Sequence, residues 1–311
     1  MIITKIFQGL GNQFFQYAFG LARAKQLNTS LKIDSRYFEK HAEVTQWGYT
    51  YKRDFGLNRF NISSEEATEQ EIDSVCHPLG KTLAQKLLNQ YRIKLAPKQH
   101  KFFVKEERLT YNPKFNHLLN NTYVEGYFTD ERYFGAVREQ LQQEFTLKNL
   151  PSETNLKLIE KIQNCNSVCI SIRRTNFLNN PLHGTCGEEY YYKAMDVIAE
   201  RIENPVFFVF SDDNAWINRY FESKYDCVFV QHNFPDFYED FRLMVNCKHH
   251  IIPNSTFPWW AAWLSDYSSK IVIAPMHWLN TTDFDHSSYV PSSWIKIDHA
   301  INTIFKGDKL I

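Results

Sequence analysis

Short apolar runs alternate with helical segments over the second half of this chain, and this alternation restricts the fold more than any other feature. The apolar runs predict strands at 167–172, 206–210, 227–230, 250–252 and 270–274. The segments between them have helical spacing of apolar residues, at 190–201, 215–221, 236–246 and 257–264. Strands that alternate with helices form parallel sheets, so we predict an α/β fold with a doubly wound sheet.

A strand–loop–helix–strand pattern also opens the chain, with strands at 2–7 and 31–34 and a helix at 14–27. We expect the two strands to be parallel with a right-handed crossover. The glycines of the loop suggest a dinucleotide site, but Phe14 takes the place of the third glycine, which argues against one. Asn12 and Gln13 either point their amides into a cleft, or the turn is an ordinary one with Asn12 as the helix cap.

A linker divides the chain into two predicted domains. Proline and small polar residues at 149–153 separate residues 1–150 from residues 151–311. Between 36 and 120 the sequence is polar, rich in aromatic residues and irregular, with one helical stretch near 83–91.

Polar clusters follow three of the strands predicted in the second domain. They are Arg173-Arg174, Asp212-Asp213 and Asn254-Ser255-Thr256. Because parallel strands end at the same edge of a sheet, we expect the three clusters to converge on one crevice. Convergence of three clusters is harder to obtain by chance than any one of them.

The chemistry of the three clusters is complementary. Arginines neutralise a diphosphate. Ser255 and Thr256 precede a helix whose free N–H groups favour an anion. An aspartate can accept hydrogen bonds from guanine. The crevice is therefore predicted to bind a nucleoside diphosphate; the alternatives are a structural salt bridge for the arginines and helix capping for the aspartates.

Composition excludes several classes of function. The 35 Lys and Arg residues balance 35 Asp and Glu residues, which argues against a broad nucleic-acid-binding face. The sequence has no signal-peptide pattern and no apolar run of transmembrane length. Its six cysteines form no Cys-x-x-Cys pair, which fits free thiols in the reducing cytoplasm.

Two clusters have the residue types of metal sites, and we interpret both as structural. The Asp-x-Asp sequence at 283–285 follows no predicted strand and fits a loop. Cys247, His249 and His250 have no second ligand pair nearby and fit buried structural residues better than a zinc site. We therefore predict neither a metal nor a cofactor.

Several blocks of the sequence resemble glycosyltransferase family 11, the bacterial α-1,2-fucosyltransferases. The blocks are Gly9-Leu10-Gly11-Asn12-Gln13-Phe14-Phe15-Gln16-Tyr17-Ala18, Glu125-Gly126-Tyr127-Phe128, Phe210-Ser211-Asp212-Asp213, Asn254-Ser255-Thr256-Phe257-Pro258-Trp259-Trp260 and Ile273-Ala274-Pro275-Met276-His277-Trp278. The resemblance implies a GT-B-like fold, in which two Rossmann-like domains with parallel sheets face a central cleft. Residues 1–150 would form the acceptor side and residues 151–311 the GDP-sugar side, with the carboxyl-terminal tail packing back on the first domain.

The resemblance also implies an activity. Such enzymes transfer L-fucose from GDP-β-L-fucose, with inversion and without a metal, to the 2-hydroxyl of a galactoside in an O-antigen, capsule or oligosaccharide. Peripheral association with the inner membrane is a further expectation. Two other functions remain open: transfer from a different nucleotide sugar, and non-catalytic carbohydrate binding.

Site residues follow from the same resemblance. Arg173 would contact the donor diphosphate, Ser255 and Thr256 the phosphates, and either Asp212 or Asp213 the guanine, while Asn12 would lie near the reacting centre. The implied catalytic residues are Arg173 and Asn12. The implied donor-binding residues are Arg173, Arg174, Asn176, Asp212, Asp213, Asn254, Ser255, Thr256, Phe257, Gly11 and Gln13.

The chain departs from the usual family motif His-x-Arg-Arg-Gly-Asp-Tyr at four places. The replacements are Ser171, Thr175, Asn176 and Phe177. Without a carboxylate at position 176, the catalytic base must come from elsewhere, and Glu125 and Asp34 are the candidates that we considered beside a structural role.

The acceptor site is expected in the irregular region between 36 and 120. Trp47, Tyr49, Tyr51 and Arg53 could bind a sugar ring there, or they form a folded aromatic cluster.

Overall fold

Two units, each with its own parallel sheet, divide the chain in the computed structural model. Unit 1 comprises Met1–Glu43 and Lys52–Phe145, and unit 2 comprises Val44–Tyr51 and Thr146–Ile311. The structure describes residues 1–46, 48–76, 82–84, 87, 102–281, 285–298 and 301–302. Trp47, most of the helix predicted at 83–91 and the carboxyl-terminal tail lie outside these residues. Within these ranges no helix is long and apolar enough to cross a membrane.

A five-stranded sheet organises unit 1. Along the first 145 residues the elements are β1 (Ile2–Lys5), α1 (Leu10–Gln26), β2 (Leu31–Asp34), α2 (Tyr37–Lys40), β3 (Glu43–Gln46), β4 (Tyr49–Lys52), β5 (Glu65–Glu66), α3 (Glu69–Cys76), β6 (Phe103–Lys105), β7 (Thr122–Glu125) and α4 (Arg138–Glu144). The strand order is β5-β2-β1-β7-β6, and every neighbouring pair is parallel. The predicted parallel pairing of the first two strands is confirmed, while β3 and β4 form a separate two-stranded sheet.

Helix α1 lies very close to the sheet because Gly20 has no side chain. A Cβ atom at Gly20 would stand 2.2 Å from Thr4 Oγ1 and 2.7 Å from Leu31 Cδ1. The helix begins at Leu10, four residues before the predicted start, because Gly9 caps it in an extended conformation and Gly11 continues it. The buried face of α1 includes Phe14, Phe15 and Phe19.

A six-stranded sheet organises unit 2. From residue 146 the elements are α5 (Glu153–Gln163), β8 (Asn166–Ile172), β9 (Thr185–Cys186), α6 (Glu188–Ala199), β10 (Pro205–Ser211), α7 (Asn214–Tyr220), β11 (Cys227–Val230), α8 (Phe237–Asn246), β12 (His249–Ile251), α9 (Thr256–Leu264), β13 (Val272–Pro275), β14 (Ile295–Ile297) and β15 (Ile301–Asn302). The sheet order is β11-β10-β8-β12-β13-β14, and its neighbouring pairs are all parallel. This confirms the predicted α/β class with a doubly wound sheet in the second half.

Helix α9 is apolar on all sides and is buried, as expected for a helix without a polar face. Trp259 and Trp260 are fully buried and Trp263 nearly so, which shows that these aromatics belong to the core. Lys270 Nζ closes the carboxyl end of α9 by donating to the backbone carbonyls of Ala262 at 2.7 Å, Trp263 at 3.1 Å and Ser265 at 2.8 Å.

The linker predicted at 149–153 leads directly into α5. Ser152 caps this helix, and its Oγ accepts a hydrogen bond from the backbone N–H of Asn155 at 3.2 Å. Both halves of the chain are thus parallel α/β units, and a cleft with the two sheets facing it stays a prediction.

Candidate functional site

The three polar clusters lie at one edge of the sheet of unit 2. The chain leaves β8 toward β10 on one side and reaches β12 on the other, so the strand order reverses between β8 and β12. Ligands of open α/β sheets bind at such a reversal, outside the carboxyl ends of the strands. Arg173 follows β8, Asp212 follows its neighbour β10, and Ser255 lies beyond β12, so the topology brings the clusters together as predicted.

Arg173 presents a guanidinium group at this edge. Its Nη1 lies 2.6 Å from Asp212 Oδ2, and its Nη2 donates to Asn176 Oδ1. The guanidinium carbon lies 5.3 Å from the ring centroid of Phe177. The side chain keeps 34% of its surface exposed, so a diphosphate can still reach the nitrogen atoms. Asn176 therefore orients the arginine where the family motif has an aspartate.

Arg174 is fixed more tightly than Arg173. Its guanidinium carbon lies 4.1 Å from the ring centroid of Trp216, and its Nε lies 3.3 Å from Asp213 Oδ2. Its backbone N–H donates to Asp212 Oδ1 at 2.8 Å. Because stacking and an ion pair both hold this side chain, it forms part of the wall of the crevice.

Asp212 and Asp213 already have partners within the protein. Asp212 Oδ2 accepts from Arg173 and from the hydroxyl of Thr175, while its Oδ1 accepts from the Arg174 backbone. Asp213 caps α7 and accepts from the backbone N–H of Trp216 at 3.0 Å. The capping alternative is therefore realised by Asp213, and contact of either aspartate with guanine stays a prediction.

The amino-terminal end of α9 lies at the same edge of the sheet, beyond β12. Ser255 precedes the helix with its side chain buried and makes no capping hydrogen bond to α9, so it does not satisfy the first-turn N–H groups. Thr256 and Phe257 open the helix, and these N–H groups favour an anion. Asn254 serves another purpose, because its Nδ2 donates to the carbonyl oxygens of His183 at 2.8 Å and Trp278 at 3.2 Å.

His183 is a residue of this region that the sequence did not reveal. Burial, together with the charge of Arg173, lowers the pKa of its imidazole to about 4, so the ring is neutral near pH 7. Its ring lies 4.7 Å from that of Phe177. No spacing marks a lone histidine within a polar loop, so only the folded structure places it near the arginine.

The predicted amide residues of unit 1 differ in their surroundings. Asn12 is half-buried in the first turn of α1, and Gly9, not Asn12, is the helix cap. Gln13 is buried, and its Nε2 donates to the carbonyl oxygens of Gln8 at 3.0 Å and Asp54 at 2.9 Å. Gln13 therefore links the loop at Gln8 to the loop at Asp54 by hydrogen bonds. Gly11 lies buried within α1, and roles of these residues toward a donor stay predictions.

The two carboxylates considered as bases are engaged in ion pairs. Burial alone would raise the pKa of Asp34, but hydrogen bonds from Arg36 and Tyr123 outweigh burial and lower it. Glu125 is likewise buried in part, and Lys105 and Lys5 lower its pKa. Both groups are stabilised as anions, which makes them weak bases.

Glu106 is a better candidate for a base, and the sequence did not mark it. It follows β6, and its Oε2 accepts from the backbone N–H groups of Tyr127 at 2.6 Å and Phe128 at 3.1 Å. Burial raises the pKa of Glu106 to about 7, although these two hydrogen bonds oppose the rise. A carboxylate that titrates near neutral pH suits general-base catalysis.

The expected acceptor residues are described only in part. Trp47 and the side chains of Tyr49 and Tyr51 lie outside the described residues. Arg53 lies beside the α1 cap, since a Cβ atom at Gly9 would stand 2.9 Å from Arg53 Nη1.

Among the described residues, no three or more side chains of His, Cys, Asp or Glu form a group that could hold a metal ion. His249 Nδ1 accepts from the backbone N–H of Ile271 at 3.0 Å, and His250 Nε2 lies 3.2 Å from the carbonyl oxygen of Cys247. These histidines therefore have the structural roles inferred from the sequence. Asp285 caps a short turn, and its partners in the Asp-x-Asp sequence lie outside the described residues.

Comparison with known proteins agrees with the resemblance seen in the sequence. The model of Glycosyl transferase family 11 matches residues 1–298. An α-1,2-colitosyltransferase of Escherichia coli is 33% identical over 309 residues, covering 96% of this chain and 99% of the relative. Galactoside α-(1,2)-fucosyltransferase 1 of Rattus norvegicus is 31% identical over 148 residues, covering 43% of this chain and 39% of the relative.

Among solved structures, NodZ α-1,6-fucosyltransferase soaked with GDP-fucose aligns with 85% of this chain and 91% of its own, at 12% identity and a TM-score of 0.45. The family match extends through both units, from β1 to the strand at the far edge of the second sheet. On this match the chain is a glycosyltransferase, and it belongs to glycosyl transferase family 11.

Proposed function

We propose that this protein transfers L-fucose, or its 3-deoxy counterpart colitose, from a GDP-activated donor to the 2-hydroxyl of a galactoside, with inversion at the anomeric carbon. The observation that carries the proposal is the partly exposed guanidinium of Arg173 at the strand reversal of unit 2, together with the open amino-terminal end of α9. Both groups favour a diphosphate, and neither needs a metal ion to do so.

The departure of GDP is the step that this crevice would assist. The acceptor oxygen forms a bond to the anomeric carbon while the bond to the β-phosphate oxygen breaks on the opposite face. Negative charge then develops on the β-phosphate, where Arg173 and the N–H groups of Thr256 and Phe257 would stabilise it. Asp212 and Asn176 hold the guanidinium in position before the donor arrives, so little reorganisation is needed.

The proton of the acceptor hydroxyl needs a base, and we assign Glu106 to this role. Its geometry leaves Oε1 without a hydrogen-bond partner among the described residues, while Oε2 is held by two backbone N–H groups. The carboxyl would take the proton as the new glycosidic bond forms. Asn12 would then be a positioning residue, because an amide cannot act as a base at neutral pH.

Two sugars remain as candidate donors because the relatives point in different directions. One relative that matches nearly the whole chain is a colitosyltransferase, and a relative that matches it in part is a fucosyltransferase. Initial rates with GDP-β-L-fucose and GDP-colitose on one galactoside acceptor would decide between them. Transfer from neither donor, with tight binding of UDP instead of GDP, would refute the proposed function.

An arginine variant tests the site itself. Arg173→Ala should lower turnover by about 10²- to 10³-fold and weaken GDP binding, because a preorganised donor to the leaving group is lost. Arg173→Lys should recover only part of the loss, since lysine keeps the charge but not the fork of N–H groups. Arg219→Ala, at an exposed arginine on α7, is the matched control. Near-normal kinetics of Arg173→Ala would remove this residue from the mechanism.

A carbohydrate-binding protein without catalysis is the alternative from another class. Release of GDP from the donor in the absence of acceptor, faster than in buffer without the protein, would exclude it, because a binding protein does not catalyse cleavage of the sugar–phosphate bond.

A further inference from the structure

Two phenylalanine side chains are exposed in the loop that follows β11. Phe234 keeps 72% of its surface exposed, and Phe237, at the start of α8, keeps 43%. Single exposed apolar residues are common and need no explanation. This pair differs from the common case in its position in the fold and in the way its loop is held.

Phe237 lies next to the predicted phosphate site, and Phe234 stands three positions before it in the chain. The ring centroid of Phe237 lies 5.7 Å from that of Phe257, which is the second residue of α9. Phe257 in turn lies 5.3 Å from Phe241, which is buried. A series of rings thus runs from the core to the surface, beside the N–H groups that favour an anion.

A chain of side-chain hydrogen bonds that includes the buried Asn155 holds the loop. His232 Nε2 lies 2.8 Å from Asn155 Oδ1, and Asn155 Nδ2 donates to Asn233 Oδ1 at 3.0 Å. Asn233 Nδ2 donates to Asp240 Oδ1 at 2.9 Å. Asn155 is only 1% exposed, so these bonds form in a protected environment. The loop is therefore ordered before any ligand arrives, while its phenylalanines face solvent.

The hydrogen bonds that the two aspartates already accept suggest that another group binds the base. Every carboxylate oxygen of Asp212 and Asp213 already accepts a hydrogen bond or takes part in an ion pair within the protein. Hydrogen bonds that a base donates to these carboxylates would compete with the partners already in place. Stacking on an aromatic ring makes no such demand, since every nucleobase has a π-face.

We propose that Phe234 and Phe237 form the platform on which the guanine base of the donor stacks. This inference rests on the proposed function, because it takes the diphosphate of the same GDP-sugar to lie at Arg173 and α9. A rigid loop with exposed rings lowers the ordering cost of binding, which is the advantage of a preorganised site.

Binding of GDP and of inorganic pyrophosphate to alanine variants tests the platform. The double variant Phe234→Ala and Phe237→Ala should bind GDP roughly 5- to 100-fold more weakly, the range expected for loss of base stacking. Pyrophosphate should bind as it does to the wild type, because it has no base. Phe229→Ala is the matched control, since this phenylalanine on β11 is 44% exposed and should change neither affinity. The double variant Phe234→Tyr and Phe237→Tyr should keep GDP binding, because it retains both rings.

Calorimetry of the folded variants separates the outcomes. A GDP affinity of the double variant within about twofold of wild type overturns the platform and leaves the proposed function intact. An equal loss of GDP and pyrophosphate also overturns it, because the substitutions would then have distorted the phosphate site. If the wild-type protein binds no GDP at all, the proposed function fails first and this inference fails with it.

Discussion

The half-buried carboxyl of Asp240, hydrogen-bonded to the loop after β11, should make the stability of unit 2 depend on pH. Burial, together with the charges of Asp236 and Glu239, raises the pKa of Asp240 to about 6, although the hydrogen bond from Asn233 opposes the rise. An unfolded aspartate titrates near its ordinary value of about 3.9. Between these values the folded state binds more protons than the unfolded state, so stability falls as the pH rises. We therefore expect Asp240→Asn to remove this pH-dependent cost.

The size of the effect follows from the two pKa values. The cost of charging Asp240 in the fold is about 1 kcal/mol near pH 4.5 and about 3 kcal/mol near pH 7.5. An asparagine can still accept the hydrogen bond from Asn233, and any penalty for its new N–H groups does not change with pH. The difference in stability between variant and wild type should therefore grow by about 2 kcal/mol across this range, in favour of the variant.

Urea denaturation at both pH values, followed by tryptophan fluorescence, measures this difference. The Trp259 and Trp260 side chains are buried in unit 2 and report its unfolding. Asp226→Asn, at an exposed carboxylate elsewhere in unit 2, serves as a control for a simple change of net charge. A difference between Asp240→Asn and wild type that is the same at both pH values would refute the reasoning.

Two further predictions concern unit 1. Glu106→Gln should lower turnover and abolish the rise of rate with pH near 7, since the wild-type carboxyl must be deprotonated to act as a base. The control is Glu107→Gln, at an exposed carboxylate. An unchanged pH–rate profile of Glu106→Gln would exclude the role of Glu106 as the base. Gly20→Ala should destabilise the protein by roughly 1–3 kcal/mol in urea denaturation, because its Cβ would meet Thr4 and Leu31. Gly135→Ala should be almost neutral, because nothing lies within 4 Å of its Cβ position, and equal losses for both variants would contradict the packing argument.

The sequence predicted those elements best whose pattern is local. β2 and β11 lie at the predicted residues, because β2 alternates apolar and charged residues and β11 is a short apolar run. β14 was missed because only three residues pair at the sheet edge. The start of α1 was predicted too late because glycines were interpreted as loop, although Gly11 lies within the helix.

In the candidate site, too, the sequence predicts the features that depend on local pattern and misses the contacts between residues distant in the chain. Convergence of Arg173, Asp212 and Ser255 follows from strand polarity alone, so the sequence could predict it. The partners of each side chain depend on residues far along the chain. Nothing local indicates that Asn254 donates to the carbonyl oxygen of His183, 71 positions away, or that Glu106 accepts from Tyr127.

The order of strands in unit 2 has a consequence for how the protein folds. β8, β10 and β11 are neighbours in the sheet and follow one another along the chain, so their pairing closes only short loops. The pairing of Val168 with His249, beside which the crevice opens, joins residues about 80 positions apart and carries a larger entropic cost. We infer that the crevice is completed late, after a contiguous β8–β11 subdomain has formed. A nucleotide that needs both sides of the crevice would then bind the folded unit and not its folding intermediates. Because such a nucleotide stabilises only the folded unit, it would slow unfolding more than it accelerates folding.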